Sequence, residues 1–292
     1  MRTVERIADI RRLVRDARAR GKRVGFVPTM GFLHEGHLAL VDEARRRAEF
    51  VVMSIFVNPL QFSPTEDLAR YPRDPQGDAA KAASRGVELL FAPTVAEIYR
   101  NGDPHETGEV RIAPRSLDQR WEGEVRPGHF AGVLTVVAKL FNIVQPDVAV
   151  FGQKDYQQAT LVRAMVRDLD MPVELVVAPT VREPDGLAMS SRNSYLSPAD
   201  RKRALRLSRA LRRVQEAFAG GQHAGDALVA IGMDVLHEDP DIRVDYLAVV
   251  DAETLVPSAN ARAGDVAIVA ARVGTTRLID NVVLAASGGG AG

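Results

Sequence analysis

The sequence predicts an α/β protein: a doubly wound parallel sheet over residues 1–180, followed by a smaller α+β C-terminal domain over 181–292. Short apolar runs alternate with helical patterns as far as residue 180, and strands separated by helices pair in parallel. Past Pro179 that rhythm gives way to two long helical patterns and then three strand-like runs. At 292 residues and 46% hydrophobic, the chain can bury one large core or two smaller ones.

The elements follow in order. Val4, Ile7, Ile10, Val14 and Ala17 recur every three or four residues and predict an opening amphipathic helix ended near Gly21. Val24 to Val27 predicts a strand, and a helix begins near Leu38. Phe50 to Val57 is β-branched and aromatic and stops at Asn58-Pro59, so a buried strand is expected. A helix around Asp78 to Arg85 and a strand from Val87 to Phe91 come next. The pattern repeats as helix His129 to Ile143, strand Val148 to Phe151, helix Tyr156 to Leu169 and strand Val173 to Val177. Such a Rossmann-like sheet binds ligands beyond the carboxyl ends of its strands, where Pro28-Thr29, Asn58-Pro59 and Gly152-Gln153 are expected to converge. The C-terminal domain reads as helices Pro198 to Phe218 and Gly225 to Leu236, then strands Val244 to Val250, Val266 to Ala271 and Arg277 to Val283. A hinge is expected near residue 180, so that the C-terminal domain serves as a lid, and Ser287 to Gly292 reads as a disordered tail.

Composition narrows the function. The 38 basic and 38 acidic residues cancel, leaving no global field to gather nucleic acid or anionic membrane. Without cysteine there are no disulfides, thiolate zinc sites or cysteine nucleophiles. No apolar run reaches the roughly 20 residues of a membrane helix, and Met1-Arg-Thr-Val-Glu-Arg6 is unlike a secretory signal, so a cytoplasmic protein is expected.

Pro28-Thr-Met-Gly-Phe-Leu-His34-Glu-Gly36-His37 joins the first strand to its helix. A strand–turn–helix junction of this kind is expected to aim free N–H groups and the positive end of the helix dipole at one pocket, with two histidines at its lip. Imidazole N–H groups there suit phosphate oxygens that gain charge as a bond to phosphorus breaks, and Gly31 and Gly36 let backbone approach. A zinc reading lacks a third ligand nearby. Lys154, in Gly152-Gln-Lys-Asp155, falls between a strand and a helix; a cation there opposes the dipole, which favours an anion as its partner. Asp155 reads equally as a helix cap or a ligand contact. Met189-Ser190-Ser191-Arg192 places two hydroxyls and a guanidinium in one loop, either a surface turn or a flexible polyphosphate clamp. His129 reads as a cap or a substrate contact, and Asp74 and Asp78 as solvated carboxylates or neighbours of magnesium, with no metal ligand assigned.

The Pro28–His37 stretch resembles the signature of the pantoate–β-alanine ligase (pantothenate synthetase) family, within the superfamily of nucleotidyltransferases whose His-x-Gly-His motif grips ATP. Phe56-Val-Asn-Pro-Leu-Gln-Phe62, Tyr71-Pro-Arg-Asp74, Arg126-Pro-Gly-His-Phe130, Phe151-Gly-Gln-Lys-Asp-Tyr-Gln-Gln158 and Met189-Ser-Ser-Arg-Asn193 resemble its other blocks, in its order. The resemblance implies ATP contacts from Met30, Gly31, Phe32, Leu33, His34, Glu35, Gly36, His37, Gly152, Gln153, Lys154, Asp155, Val181, Met189, Ser190, Ser191 and Arg192. It implies pantoate or β-alanine contacts from Gln61, Gln158 and Asn58, and catalytic roles for His37, His34 and Lys154. Residue type alone would leave both glutamines exposed. A homodimer using ATP with magnesium is implied, making pantothenate through a pantoyl adenylate. The rival expectations are a nucleotidyltransferase that stops after one transfer and a non-catalytic nucleotide sensor.

Overall fold

The structure, a computed structural model, describes residues 1–63, 68–100 and 108–286, so the expected tail at 287–292 lies outside the described residues. The chain forms two compact units: Met1–Gly152 with Leu161–Pro179, and Gln153–Thr160 with Thr180–Gly292.

In the first unit, β1 (Arg2–Val4), β2 (Val24–Thr29), β3 (Phe50–Ile55), β4 (Leu89–Phe91), β5 (Val148–Gly152) and β6 (Glu174–Ala178) form one parallel sheet in the order β1-β4-β3-β2-β5-β6. The helices are α1 (Ile7–Ala19), α2 (Glu35–Arg45), α3 (Pro75–Ser84), the short α4 (Val95–Ile98) and α5 (Glu122–Val125), α6 (His129–Val144) and, from Leu161 on, α7 (Tyr156–Asp168). The chain winds outward from β2 through β3 to β4, then returns to lay β5 on the other side of β2. Strand order therefore reverses between β2 and β5, the switch point beyond whose carboxyl ends sheets of this kind bind ligands. All four residues Val24 to Val27 are buried, as expected of a strand covered on both faces. Helix α6 is apolar almost all round and lies in the core with Phe26, Phe130, Phe141 and Phe151.

Local pattern and structure differ where distant pairing decides. Val4 belongs to β1, not to the opening helix, because residues 2–4 pair with β4 across Arg2↔Leu89 to Val4↔Phe91. Helix α1 starts at Ile7, whose N–H donates to the Glu97 carboxylate at 2.7 Å. The strand expected to reach Val57 stops at Ile55, and Asn58 caps a single 3₁₀ turn at Pro59–Gln61. Helix α3 starts a turn early, with Asp74 as its cap and Pro75 in its first turn, where the missing proline N–H costs nothing.

In the second unit, α8 (Pro198–Ala219) and α9 (Gly225–His237) cover an antiparallel sheet, β7 (Ile242–Val250), β8 (Val266–Val273) and β9 (Thr276–Val283), in the order β7-β8-β9. Leu207, Leu211, Val214, Leu228, Leu236, Leu247 and Val269 form its core. Gln153–Thr160, which the sequence divides into the first domain, goes with this unit: Asn281 of β9 donates to the Gln153 and Lys154 carbonyls, and the Tyr156 hydroxyl donates to the Ala252 carbonyl. Among the described residues no helix is long and apolar enough to cross a membrane.

Candidate active site

Because β2, β3 and β5 run parallel, Thr29, Ile55 and Gly152 end on one edge of the first unit's sheet. From Thr29 the chain turns through Gly31, at φ +84°, and Phe32, at φ +50°. A side chain on Gly31 would meet Asp78 and Ile55 at 2.9 Å, so glycine here serves the turn and its packing on α3. Asp78 is 1% exposed and accepts the N–H groups of Phe32 at 2.8 Å and Leu33 at 2.6 Å. Lys81, one turn on, donates to the Leu33 carbonyl at 2.8 Å. Asp74 is the α3 cap, accepting from Gly77 N at 3.0 Å. Both aspartates therefore hold backbone rather than standing as solvated carboxylates. Among the described residues no cluster of three His, Cys, Asp or Glu could hold a metal.

His34 caps α2, its Nδ1 accepting from Gly36 N at 3.1 Å, while the Nδ1 of His37 accepts from His34 N at 3.3 Å. The rings lie 4.0 Å apart at 34°. A neutral imidazole that accepts at Nδ1 carries its proton on Nε2, so this reciprocal cap makes both side chains Nε2–H donors. Much of the N–H cradle expected at this junction is taken up within the protein: Gly31 N donates to Thr29 Oγ1, and the N–H groups of Phe32, Leu33, His34 and Gly36 have the partners already named. What the junction can offer an anion is chiefly the imidazoles and the positive end of the α2 dipole. Glu35 is exposed and pairs with Arg85.

A cavity of about 270 Å³ lies at the carboxyl edge of β2, β3 and β4, lined by Met30, Phe32, Ile55, Phe56, Val57, the start of α3 and Pro93–Val95. Gln61 is 9% exposed, against the exposure its residue type suggests, and its Nε2 donates to the Met30 thioether at 2.9 Å. Its backbone carbonyl accepts from Arg126 at 3.2 Å and meets His129 Nδ1 at 2.8 Å. Since arginine only donates, His129 Nε2 must accept from Arg126 at 3.0 Å, and Nδ1 carries the proton given to Gln61. His129 thus fastens Gln61, while Gly128 occupies the cap position of α6. Asn58 is 1% exposed and bonded within the protein.

In the second unit, Gln153, Lys154 and Asp155 form the turn before α7. Asn281 Nδ2 donates to the carbonyls of Gln153 at 3.0 Å and Lys154 at 2.9 Å, and its Oδ1 accepts from Gln153 Nε2 at 3.1 Å. Lys154 and Gln158 are half-buried, and Asp155 is exposed. The segment expected as a flexible clamp is a tied hairpin. Arg182 bridges Ala188, Met189 N donates to the Val181 carbonyl at 3.0 Å, and Arg182 grips both Asp280 oxygens at 2.7 and 3.0 Å. Ser190 caps the 3₁₀ helix Ser191–Tyr195, accepting from Arg192 N; Ser191 is buried, and Met189 and Arg192 are half-buried. Asn193 donates to Glu183 and to the Ala188 carbonyl, and Arg201 binds Glu183 and Asp185. The Arg201 hydrogen bond chiefly holds Glu183 below the usual carboxylate range.

Sequence reasoning missed Tyr99, whose hydroxyl donates to Asn58 Oδ1 at 2.7 Å, Asp78 and Lys81 as clamps, and Asn281. None has a local signal, since each acts on a segment far away in the chain.

A parallel sheet with a β2/β5 switch point and a histidine-capped helix at its edge define a Rossmann-like α/β enzyme of the His-x-Gly-His kind. The chain belongs to the pantoate–β-alanine ligase family: the family pattern described as Pantoate-beta-alanine ligase matches residues 2–283. Pantothenate synthetase from Thermus thermophilus is 54% identical over 283 residues, covering 97% of this chain and 99% of that protein. Pantothenate synthetase 1 from Bradyrhizobium diazoefficiens is 51% identical over 97% of this chain and 98% of its own length. The crystal structure of a Thermus thermophilus pantothenate synthetase superposes with a TM-score of 0.91 at 52% identity, covering 97% of this chain and 99% of that one. Pantoate-beta-alanine ligase from Francisella tularensis, complexed with beta-gamma ATP and beta-alanine, gives 0.78 at 32% identity over 97% of each chain.

Proposed function

We propose that this protein joins pantoate to β-alanine with ATP in two steps. Pantoate carboxylate attacks the α-phosphorus of ATP, breaking the bond from that phosphorus to the α–β bridging oxygen, so that pyrophosphate leaves and pantoyl adenylate forms. The β-alanine amine then attacks the acyl carbon, giving pantothenate and AMP with loss of a proton. The observation that carries this reading is the paired Nε2–H donors of His34 and His37 at the N-terminus of α2, within a chain of this family. Neither step needs a covalent enzyme intermediate; placement and charge neutralisation supply the rate.

The residue roles are those the family resemblance implies, and their chemistry suits them. His34, His37 and Lys154 neutralise the departing diphosphate, with His37 the proton donor. Met30 to His37, Gly152 to Asp155, Val181 and Met189 to Arg192 hold ATP. Gln61 and Gln158 hold pantoate, whose hydroxyls and carboxylate call for fixed donors and acceptors. Magnesium enters as the counter-ion of the ATP substrate. On this reading residues 1–180 carry most of the nucleotide and pantoate determinants, and 181–292, the smaller α+β lid domain, adds Val181 and Met189 to Arg192. A homodimer, as the family resemblance implies, is tested by light scattering, and the cytoplasmic location expected from the sequence by cell fractionation. The reaction is tested by mixing ATP, magnesium and pantoate and following pyrophosphate before and after β-alanine is added. AMP and pantothenate appearing together only after β-alanine supports the ligase; turnover that never needs β-alanine refutes it.

A further inference from the structure

Asn58 and Gln61 do different jobs in the first unit. Each polar atom of the Asn58 side chain has a protein partner: Oδ1 accepts from the Tyr99 hydroxyl at 2.7 Å and from Leu60 N at 3.4 Å, and Nδ2 donates to the Gly132 carbonyl at 3.1 Å and to Gln61 Oε1 at 3.2 Å. The Gly132 carbonyl can only accept and Leu60 N–H can only donate, so together they set which end of the Asn58 amide faces which way. The second N–H of Nδ2 then requires an acceptor, and Gln61 must turn Oε1 toward Asn58. That leaves the Gln61 nitrogen as its outward group. One of its two N–H bonds goes to the thioether of Met30, a residue that lines the cavity.

The tyrosine hydroxyl makes the shortest of the four Asn58 contacts. Its ring is 5% exposed, lies 6.2 Å from Phe56 in the cavity wall, and carries Lys139 at 5.5 Å from its centroid. Burial raises the Tyr99 pKa far above the ordinary phenol value, partly offset by Arg111, so the hydroxyl remains a donor. A buried donor on Oδ1 also polarises the amide and strengthens both Nδ2 bonds.

We propose that Tyr99 is a positioning residue: acting through Asn58, it fixes the Gln61 amide with its N–H face presented to the acid substrate. The relay rests on the reading of Gln61 as a pantoate ligand. It makes Gln61 a donor to pantoate oxygen, and it moves Asn58 from substrate contact to intermediary. His129 and Arg126 hold the Gln61 main chain independently, so loss of the relay should misorient the side chain without displacing the residue.

The test is a double-mutant cycle of Tyr99→Phe and Gln61→Ala, with KM for pantoate and for ATP measured in each. Losing one hydrogen bond to a buried partner should raise KM for pantoate about tenfold in Tyr99→Phe, with KM for ATP unchanged. In the Gln61→Ala background, Tyr99→Phe should add nothing. Should Tyr99→Phe fold poorly, Asn58→Asp interrupts the relay from the other side, replacing the donor facing Gln61 by oxygen, and should give the same split. Equal shifts for both substrates, or an effect that multiplies in full on Gln61→Ala, overturn the relay alone. An unchanged pantoate KM in Gln61→Ala overturns the Gln61 assignment, and the relay with it.

Discussion

Asp78 of α3 and Leu33, in the turn after β2, are joined by a 2.6 Å hydrogen bond from the Leu33 N–H to a carboxylate 1% exposed. The same carboxylate takes Phe32 N, and Lys81 takes the Leu33 carbonyl, so α3 fixes the turn that delivers His34 to the head of α2. Asp78→Ala would leave two backbone donors without their acceptor, at about 1–3 kcal/mol each before relaxation. We expect a clear fall in Tm and a larger fall in ATP-dependent turnover than in the α3 cap variant Asp74→Ala. Calorimetry and pyrophosphate release on the two proteins check this; equal activity losses would deny Asp78 any special hold on the turn.

The cap role of His34 and its proposed donor role are separable. Asparagine can accept from Gly36 N as histidine does, so His34→Asn should alter stability by less than about 1 kcal/mol. It lacks an Nε2–H, and losing a transition-state donor typically costs on the order of 10² to 10³ in rate. Adenylate formation should drop by that factor in His34→Asn and His37→Ala while thermal unfolding of His34→Asn stays near the parent. Full activity in His34→Asn would confine that histidine to capping.

Glu183 receives Arg201 at 2.6 Å and Asn193 at 2.8 Å, and the Arg201 bond chiefly depresses its pKa. A depressed carboxylate contributes stability above its unfolded value of 4.5, and that stability is lost as pH falls through the lower folded value. Tm should therefore decline on acidification below the unfolded value, and Glu183→Gln should flatten that limb while lowering Tm at neutral pH. Scanning calorimetry across the acid range decides; an identical acid limb in both proteins would show the pair to be inert.

The parts of the fold set by local pattern were legible, and those set by distant partners were not. The buried run Val24 to Val27 and the helical period after Leu38 lie within a few residues of each other, so β2, its turn and α2 could be read directly. β1 could not, since its strand identity depends on β4. For the candidate site, the two histidines stood out at the strand–helix junction and Gln61 only through the family resemblance, and the surroundings of all three were misjudged. Gln61 is buried because Asn58, His129 and Arg126 enclose it, and the turn N–H groups are occupied because Asp78 reaches them from a later helix. A motif records which residue types stand together, and hydrogen-bond partners from other elements decide what each has left to offer a ligand.

Asn281 illustrates the same dependence and gives the last prediction. It is 1% exposed, and both hydrogens of its amide nitrogen end on the carbonyls of Gln153 and Lys154. The geometry of the Lys154 turn is thus held from β9, in a stretch without any recognisable motif. Asn281→Asp preserves size but sets carboxylate oxygen against those carbonyls, removing two bonds and adding repulsion, at a cost of about 1–3 kcal/mol for each buried group left unpaired. If Lys154 neutralises polyphosphate, the turn's loss should appear as a lower rate of adenylate formation, with little further loss when Lys154→Ala is added. Single-turnover pyrophosphate release on the single and double variants tests this. A full multiplicative loss in the double variant would mean that Asn281 stabilises its unit without governing the lysine.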